Sequence, residues 1–308
     1  MRIASLLPSA TEIVYALGLG DELVGVTHEC DWPPEATTKP VLTRSVHDLG
    51  ARTPGEIHRL VEGTIHGGSS LYELDEAALA DVRPELILTQ ELCRVCAVSY
   101  REVNAVARAI DADIMVVSLE PSSIEGILET ITTVGAMTEA EDEAIELVEE
   151  LRERLAGVTQ RVLDRRDSGH RGPRVVAVEW LDPPFASGHW VPEQVRRAGG
   201  WELLGREGER SVETTWDAIA EVDPDRLVLM PCGYHVEDGL AAWRATPRPP
   251  GWEELTAVRS GDVRLVDGSA YFSRPGPRVV DGVELLAELF DPEGFPGLAP
   301  DGAWLAVD

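Results

Sequence analysis

Cysteine is scarce in this chain of 308 residues, which carries four. Cys93 and Cys96 form a CxxC pair, while Cys30 and Cys232 lie far from it in sequence. All four fall just beyond short apolar runs of the kind that make buried strands, so loops at the carboxyl ends of those strands would bring them together. Four thiolates suit Zn in a tetrahedral sulfur site or a [4Fe-4S] cluster, because soft ligands select those metals. The spacing matches neither a zinc finger nor a ferredoxin, so this reading depends on the fold. Two alternatives stand beside it. Small thiols fill tight gaps in cores, and a CxxC pair between a strand and a helix can do redox chemistry because the helix dipole lowers thiol pKa.

Aromatic and imidazole groups crowd the same loops: Trp32, Trp180, Phe185, Trp190, Tyr234, Tyr271 and Phe272, with His28, His189, His235 and Arg274 as polar contacts. Ser9 and Thr11 join them in the first loop. Any one of these residues is as well explained by core packing or a structural hydrogen bond. Together they fit a mostly apolar pocket with a few oriented polar groups, suited to a large flat ligand. The chain has no GxSxG, no Walker loop, no HExxH and no dinucleotide fingerprint. No residue is therefore singled out as catalytic, and binding is favoured over turnover.

The elements that must position these groups are legible as alternating patterns. Apolar runs at 3–7, 23–26, 86–88, 114–117, 175–178, 227–230 and 263–266 read as strands, and 12–17 and 283–290 as helices. Strands alternating with helices predict an α/β fold with parallel sheets. Residues 80–88 (ADVRPELIL) parallel residues 220–228 (AEVDPDRLV), each a helix end, a proline turn and a strand that runs on toward cysteine. This suggests two similar α/β lobes, an N-terminal one over 1–137 and a C-terminal one over 174–308. A connecting helix is expected over 138–166, opened by a capping box at Thr138 and Glu141 and packed through Ile145, Val148, Leu151, Leu155, Val158 and Val162. The Pro- and Gly-rich tail from Asp291 reads as irregular.

The bulk numbers narrow the partners. A formal charge of -28, from 55 acidic against 27 basic residues, repels nucleic acid and anionic membrane. No segment has the uninterrupted apolar length of a membrane span, and the opening residues lack the look of a secretory leader, so a cytoplasmic location is expected. Reducing cytosol would also keep the cysteines out of disulfides.

Residues 8–33, PSATEIVYALGLGDELVGVTHECDWP, resemble the helical-backbone class of substrate-binding proteins of ABC importers, particularly those for cobalamin, with iron-chelate and metal binders as relatives. ELDEAALADVRPELILTQ, TTWDAIAEVDPDRLVLMPCG and GDVRLVDGSAYFSRPGP match the same layout, so the resemblance spans essentially the whole chain. It implies two doubly wound lobes joined by one long helix, with a corrinoid or similar metal-bearing ligand in an interlobe cleft. In that account Trp32, Trp180, Trp190, Tyr271 and Phe272 flank the macrocycle, and His28 or His189 meets its metal or side-chain amides. The family also implies an ABC permease as partner, an implication that the missing export signal weakens. The alternative is a cytoplasmic metalloprotein or enzyme with Zn or [4Fe-4S] on the four cysteines.

Overall fold

Short strands that bury nearly every side chain can persist only as members of a sheet, and both halves of the chain build one around such strands. The computed structural model describes residues 1–48, 50, 52–66, 71–90 and 100–308. In chain order the first half runs β1 (Ile3–Ser5), α1 (Pro8–Ala16), β2 (Leu23–Gly25), β3 (Thr43–Ser45), α2 (Pro54–His66), β4 (Tyr72–Leu74), α3 (Glu76–Val82), β5 (Leu86–Thr89), α4 (Tyr100–Ile110), β6 (Met115–Ser118) and α5 (Ile124–Met137). A parallel sheet in the order β2-β1-β5-β6 forms its centre, and β3 pairs antiparallel with β4 beside it. Beneath the sheet Ala4, Leu6, Leu42, Leu79, Ile87, Val103 and Ala107 make one core.

After α6 (Glu141–Asp167) come β7 (Arg174–Leu181), β8 (Pro184–Ala186), α7 (Val191–Arg197), β9 (Trp201–Glu202), β10 (Val212–Glu213), α8 (Trp216–Val222), β11 (Arg226–Leu229), α9 (Val236–Ala245), α10 (Thr256–Arg259), β12 (Val263–Val266), α11 (Gly268–Tyr271), α12 (Val279–Phe290) and β13 (Trp304–Ala306). The second sheet has the order β10-β8-β7-β11-β12-β13, with β9 also on β7. Its β7-β11-β12 centre and β9 are parallel, as the alternating pattern predicts, and β8, β10 and β13 extend it antiparallel. The tail is therefore not wholly irregular. Trp304–Ala306 lies along β12 and covers what would otherwise be an exposed edge.

Contacts divide the chain into two compact units. One comprises Met1–Arg52, Arg59–Pro121 and Gly126–Glu149, the other Thr53–His58, Ser122–Glu125 and Glu150–Asp308.

The internal repeat extends to hydrogen bonds. Asp75 caps α3 by accepting from Ala78 N–H, and Thr215 caps α8 by accepting from Ala218 N–H. Both helices end in a left-handed residue, Arg83 at φ 43° and Asp223 at φ 41°, which turns the chain into the next strand. Neither is glycine, so each corner carries local strain and leaves helix-end carbonyls needing donors. An arginine at the start of the neighbouring strand supplies them. Arg2 Nε donates to Val82 O at 3.0 Å and Arg83 O at 3.1 Å, and Arg174 donates from Nη2 to Val222 O and from Nη1 to Asp223 O at 3.0 Å. The backbone N–H of each arginine then donates to the carboxylate two residues past the corner, Glu85 at 2.7 Å and Asp225 at 2.8 Å. The same corner, built twice with the same bonds, is what the paired ADVRPE and AEVDPD segments encode.

The long helix differs from expectation at its start. Thr138 does not cap it: the Thr138 hydroxyl donates back to Val134 O at 2.8 Å and so closes α5. Glu139 takes a left-handed turn at φ 58°, and α6 begins two residues later. Glu141, Asp142 and Glu143 in its first turn, with Arg165 and Arg166 in its last, oppose the helix dipole at each end. Val148, Leu151, Leu155, Val158 and Val162 are buried as their spacing predicts, but Ile145 is half exposed and Ala144 takes the inward place. Toward α12, Arg154 pairs with both Asp281 and Glu284, and Arg165 grips Asp291 through two N–H groups, at 2.5 and 2.9 Å.

Two outcomes are expected from these contacts. Arg174→Ala, and Arg2→Ala in the other sheet, each lower the urea unfolding free energy by about 1–2 kcal/mol, since orphaned helix-end carbonyls lose charged donors. Arg154→Ala costs about 2 kcal/mol by leaving two carboxylates side by side, and adding Asp281→Asn recovers part of that loss in the same urea titration.

Candidate functional site

In the first sheet the loops at the carboxyl ends of β1 and β2 carry Ser9, Thr11, His28, Cys30 and Trp32. Pro8 opens α1 at a position where a missing N–H costs nothing, and Leu7 supplies no side-chain cap. Ser9 and Thr11, in the first turns, are buried. Thr11 donates to Ser5 Oγ at 2.9 Å and lies 3.1 Å from Cys30 Sγ, which has Thr27 Oγ1 on another side at 3.2 Å. Cys30 is thus a buried thiol set among hydroxyls. His28 is held by its Nδ1 against Thr43 Oγ1 at 2.8 Å, with its ring tilted on Tyr72 at 5.3 Å and Nε2 3.3 Å from Glu29. Trp32, two residues past Cys30, is 46% exposed.

In the second unit the corresponding groups follow β7, β11 and β12. Trp180 donates its indole N–H to Asp182 O at 3.1 Å, and its ring lies 5.8 Å from that of Tyr234. Phe185, on β8, has the His58 ring at 5.8 Å. Trp190 and Phe272 are buried and joined by a bond from the indole N–H to Phe272 O at 3.0 Å. Arg274 is buried and Tyr271 partly so; the Tyr271 carbonyl accepts from Gln194 Nε2 at 3.0 Å. His235 Nδ1 is 2.8 Å from Asp267, the residue that caps α11. Cys232 is an exposed thiol after β11, with its backbone N–H on Glu179 O at 2.9 Å.

Cys93 and Cys96 lie outside the described residues, Cys30 has threonine hydroxyls at its sulfur, and among the described residues no group of three or more His, Cys, Asp or Glu could hold an ion. A Zn or [4Fe-4S] site is not shown.

Sequence reasoning passed over two carboxyls of the second unit that are held by hydrogen bonds from backbone and hydroxyl groups. Glu179 accepts from Gly188 N–H at 3.0 Å and from the Ser211 hydroxyl. Glu202 accepts from the N–H groups of Ala177, Leu204 and Gly205 at 3.0–3.1 Å. Burial pushes both carboxyls up to about 7, against the downward pull of those hydrogen bonds, and the Glu202 charge adds to the push on Glu179. The signal was present in RVVAVEWL, where a glutamate interrupts a run of buried apolar residues. Around it the backbone is crowded: a Cβ on Gly188 would sit 2.2 Å from Ser211 N, so only glycine fits. His189 next to it is left-handed at φ 50°, and its Nε2 is buried with no hydrogen bond to the protein. Burial, and then the charge of Arg210, lower the His189 pKa from its ordinary value.

Known proteins resemble this chain along almost its whole length. The uncharacterised ABC transporter substrate-binding lipoprotein YvrC of Bacillus subtilis is 26% identical over 96% of this chain and 81% of its own length. A vitamin B12-binding protein of Vibrio cholerae is 23% identical over 92% of this chain and 86% of its own length. Among solved structures, a periplasmic heme-binding protein from Pseudomonas aeruginosa superposes with a TM-score of 0.72 at 19% identity, covering 95% of this chain and 93% of the other. The expected cytoplasmic location is overturned by these findings, since the matching family is periplasmic and the relatives include a lipoprotein. Surface charge and the absence of a long apolar helix among the described residues do not decide the compartment, because export is read from a signal and not from the fold. The family model for periplasmic binding proteins matches residues 3–270, and the chain belongs to that family of substrate-binding proteins.

Proposed function

We propose that this protein binds a corrinoid, or another metal-bearing planar macrocycle such as heme, and passes it to an ABC permease. The observation that carries the reading is the run of aromatic groups at the carboxyl ends of strands, in a chain whose relatives bear the names vitamin B12-binding and heme-binding. Aromatic faces bury a flat ligand without demanding directional partners, and they lose little conformational freedom in doing so. Trp180 and Tyr234 support this role best, because each holds the other's ring and the Trp180 N–H is already bonded to backbone, leaving its orientation set before a ligand arrives. Trp32 offers the most exposed indole of the proposed set.

The remaining contacts divide by availability. His28 has Nδ1 engaged by Thr43 and Nε2 3.3 Å from Glu29, so its ring is held in the loop from both nitrogens, and in this reading a ligand's metal or side-chain amide takes the place of Glu29 at Nε2. Trp190 and Phe272 are buried, so in this reading they shape the wall from behind, with Tyr271 and Arg274 beside them and Ser9 and Thr11 doing the same in the first sheet.

Calorimetry is expected to give a dissociation constant at or below about 10 µM for cyanocobalamin, cobinamide or hemin with folded protein. Absence of heat with all of them would reject the reading. Trp180→Ala is expected to weaken the bound ligand by roughly threefold to tenfold, the worth of one aromatic contact, with unchanged far-UV circular dichroism.

A further inference from the structure

We propose that Glu179 is a positioning residue whose carboxyl group clamps two separate backbone segments, 187–190 and 203–211, and so fixes His189 at the proposed ligand wall and Trp190 behind it. The clamp is visible as a set of bonds that converge on one side chain. Glu179, near the end of β7, takes the Gly188 N–H with Oε1 and the Ser211 hydroxyl with Oε2. The two segments are also laced directly to each other, His189 N–H to Glu209 O at 2.6 Å and Gly208 N–H to His189 O at 2.8 Å. Between them they hold His189 in a left-handed conformation that a non-glycine residue adopts only under constraint. Trp190 follows immediately and is anchored to Phe272 O. Remove the Glu179 carboxyl, and the Gly188 N–H and Ser211 hydroxyl lose their shared partner at the point where the backbones approach most closely.

The clamp senses protons. The charged and titratable groups on the elements around Glu179 are Glu202 on β9, Glu209 and Arg210 in the 203–211 segment, His189 itself, Glu213 on β10, and Cys232, whose backbone N–H donates to the Glu179 carbonyl. Burial and Glu202 raise the carboxyl from its ordinary 4.5 to about 7. A group that holds its proton more tightly in the clamped loop than in an opened, solvated one ties closing to protonation. The sign follows directly: the clamp is fully favoured below about pH 4.5, loosens as the pH rises toward about 7, and changes little above that. Its role in ligand contact rests on the function proposed above, whereas its hold on the loop does not.

Amide hydrogen exchange at Gly188 and His189, corrected for intrinsic rates and read by mass spectrometry with fragmentation, tests the clamp without any ligand. In the wild type, protection is expected to fall by about tenfold or more between roughly pH 5.5 and 8. Glu179→Ala, shown to be folded by circular dichroism, is expected to lose that protection at both pH values. Glu179→Gln is a neutral isostere that accepts from Gly188 and donates to Ser211. It is expected to keep at pH 8 protection within about threefold of the wild type at pH 5.5, because a side chain that cannot ionise ties no proton to closure of the clamp. Unchanged protection in Glu179→Ala, or a full wild-type pH response in Glu179→Gln, would overturn the proposal. A wild type that shows the exchange pattern but binds neither corrinoid nor hemin would remove the ligand reading and leave the clamp standing.

Discussion

The constraint on which the rest depends is the burial of parallel strands. β5 is buried at every residue and β11 at all but its first, so neither has room for a polar side chain midway. A strand buried on both faces must be apolar along its length, and polar chemistry is displaced to the loops at its ends. The histidines and aromatic residues that could meet a ligand occupy those loops for that reason. Glu179 departs from the rule, since it sits inside a strand, and it is satisfied there only because a backbone N–H and a hydroxyl reach it.

The two helix–strand corners show how a repeated architecture can persist while its residues drift. Arg83 and Asp223 differ in charge, yet both adopt the same left-handed turn, because what each corner requires is a backbone shape and a donor for the helix-end carbonyls. The donor in each case is an arginine from the adjacent strand, and the carboxylate that receives its N–H is Glu85 in one half and Asp225 in the other. The arginine that donates to the corner keeps its type, whereas the caps change from Asp75 to Thr215, and Asp223 takes on a further task by accepting from Thr256 N–H at 2.8 Å.

Electrostatics in so acidic a chain is a matter of placement. Most of the 55 carboxylates can repel one another through water at little cost. Several that leave water are paired with arginine: Asp291 with Arg165, Asp281 and Glu284 with Arg154, and Glu193 with Arg197. Glu179 and Glu202 are met instead by hydroxyl and N–H groups, which stabilise a charge less than a cation would, and their proton affinity rises accordingly.

Apolar runs and their spacing were enough to place the seven central strands, the long helix and its buried stripe, because local periodicity reports which face meets the core. The ADVRPE and AEVDPD pair likewise announced a repeat, since a corner of given shape needs the same polar and proline punctuation twice. The tertiary structure alone decided the rest. Whether Thr138 caps the helix after it or closes the one before it depends on which carbonyl lies within reach of its hydroxyl, and Val134 O does. Cys30 is a thiol among threonines because Thr11, far from it in the chain, is folded against the sulfur that Thr27 meets from within the same loop. Glu179 becomes a clamp only because Gly188 and Ser211, which no local pattern connects, are folded against the same carboxyl group. A hydrogen bond is a fact about distance and direction in space, and residue order along the chain constrains neither until the strands have set their register.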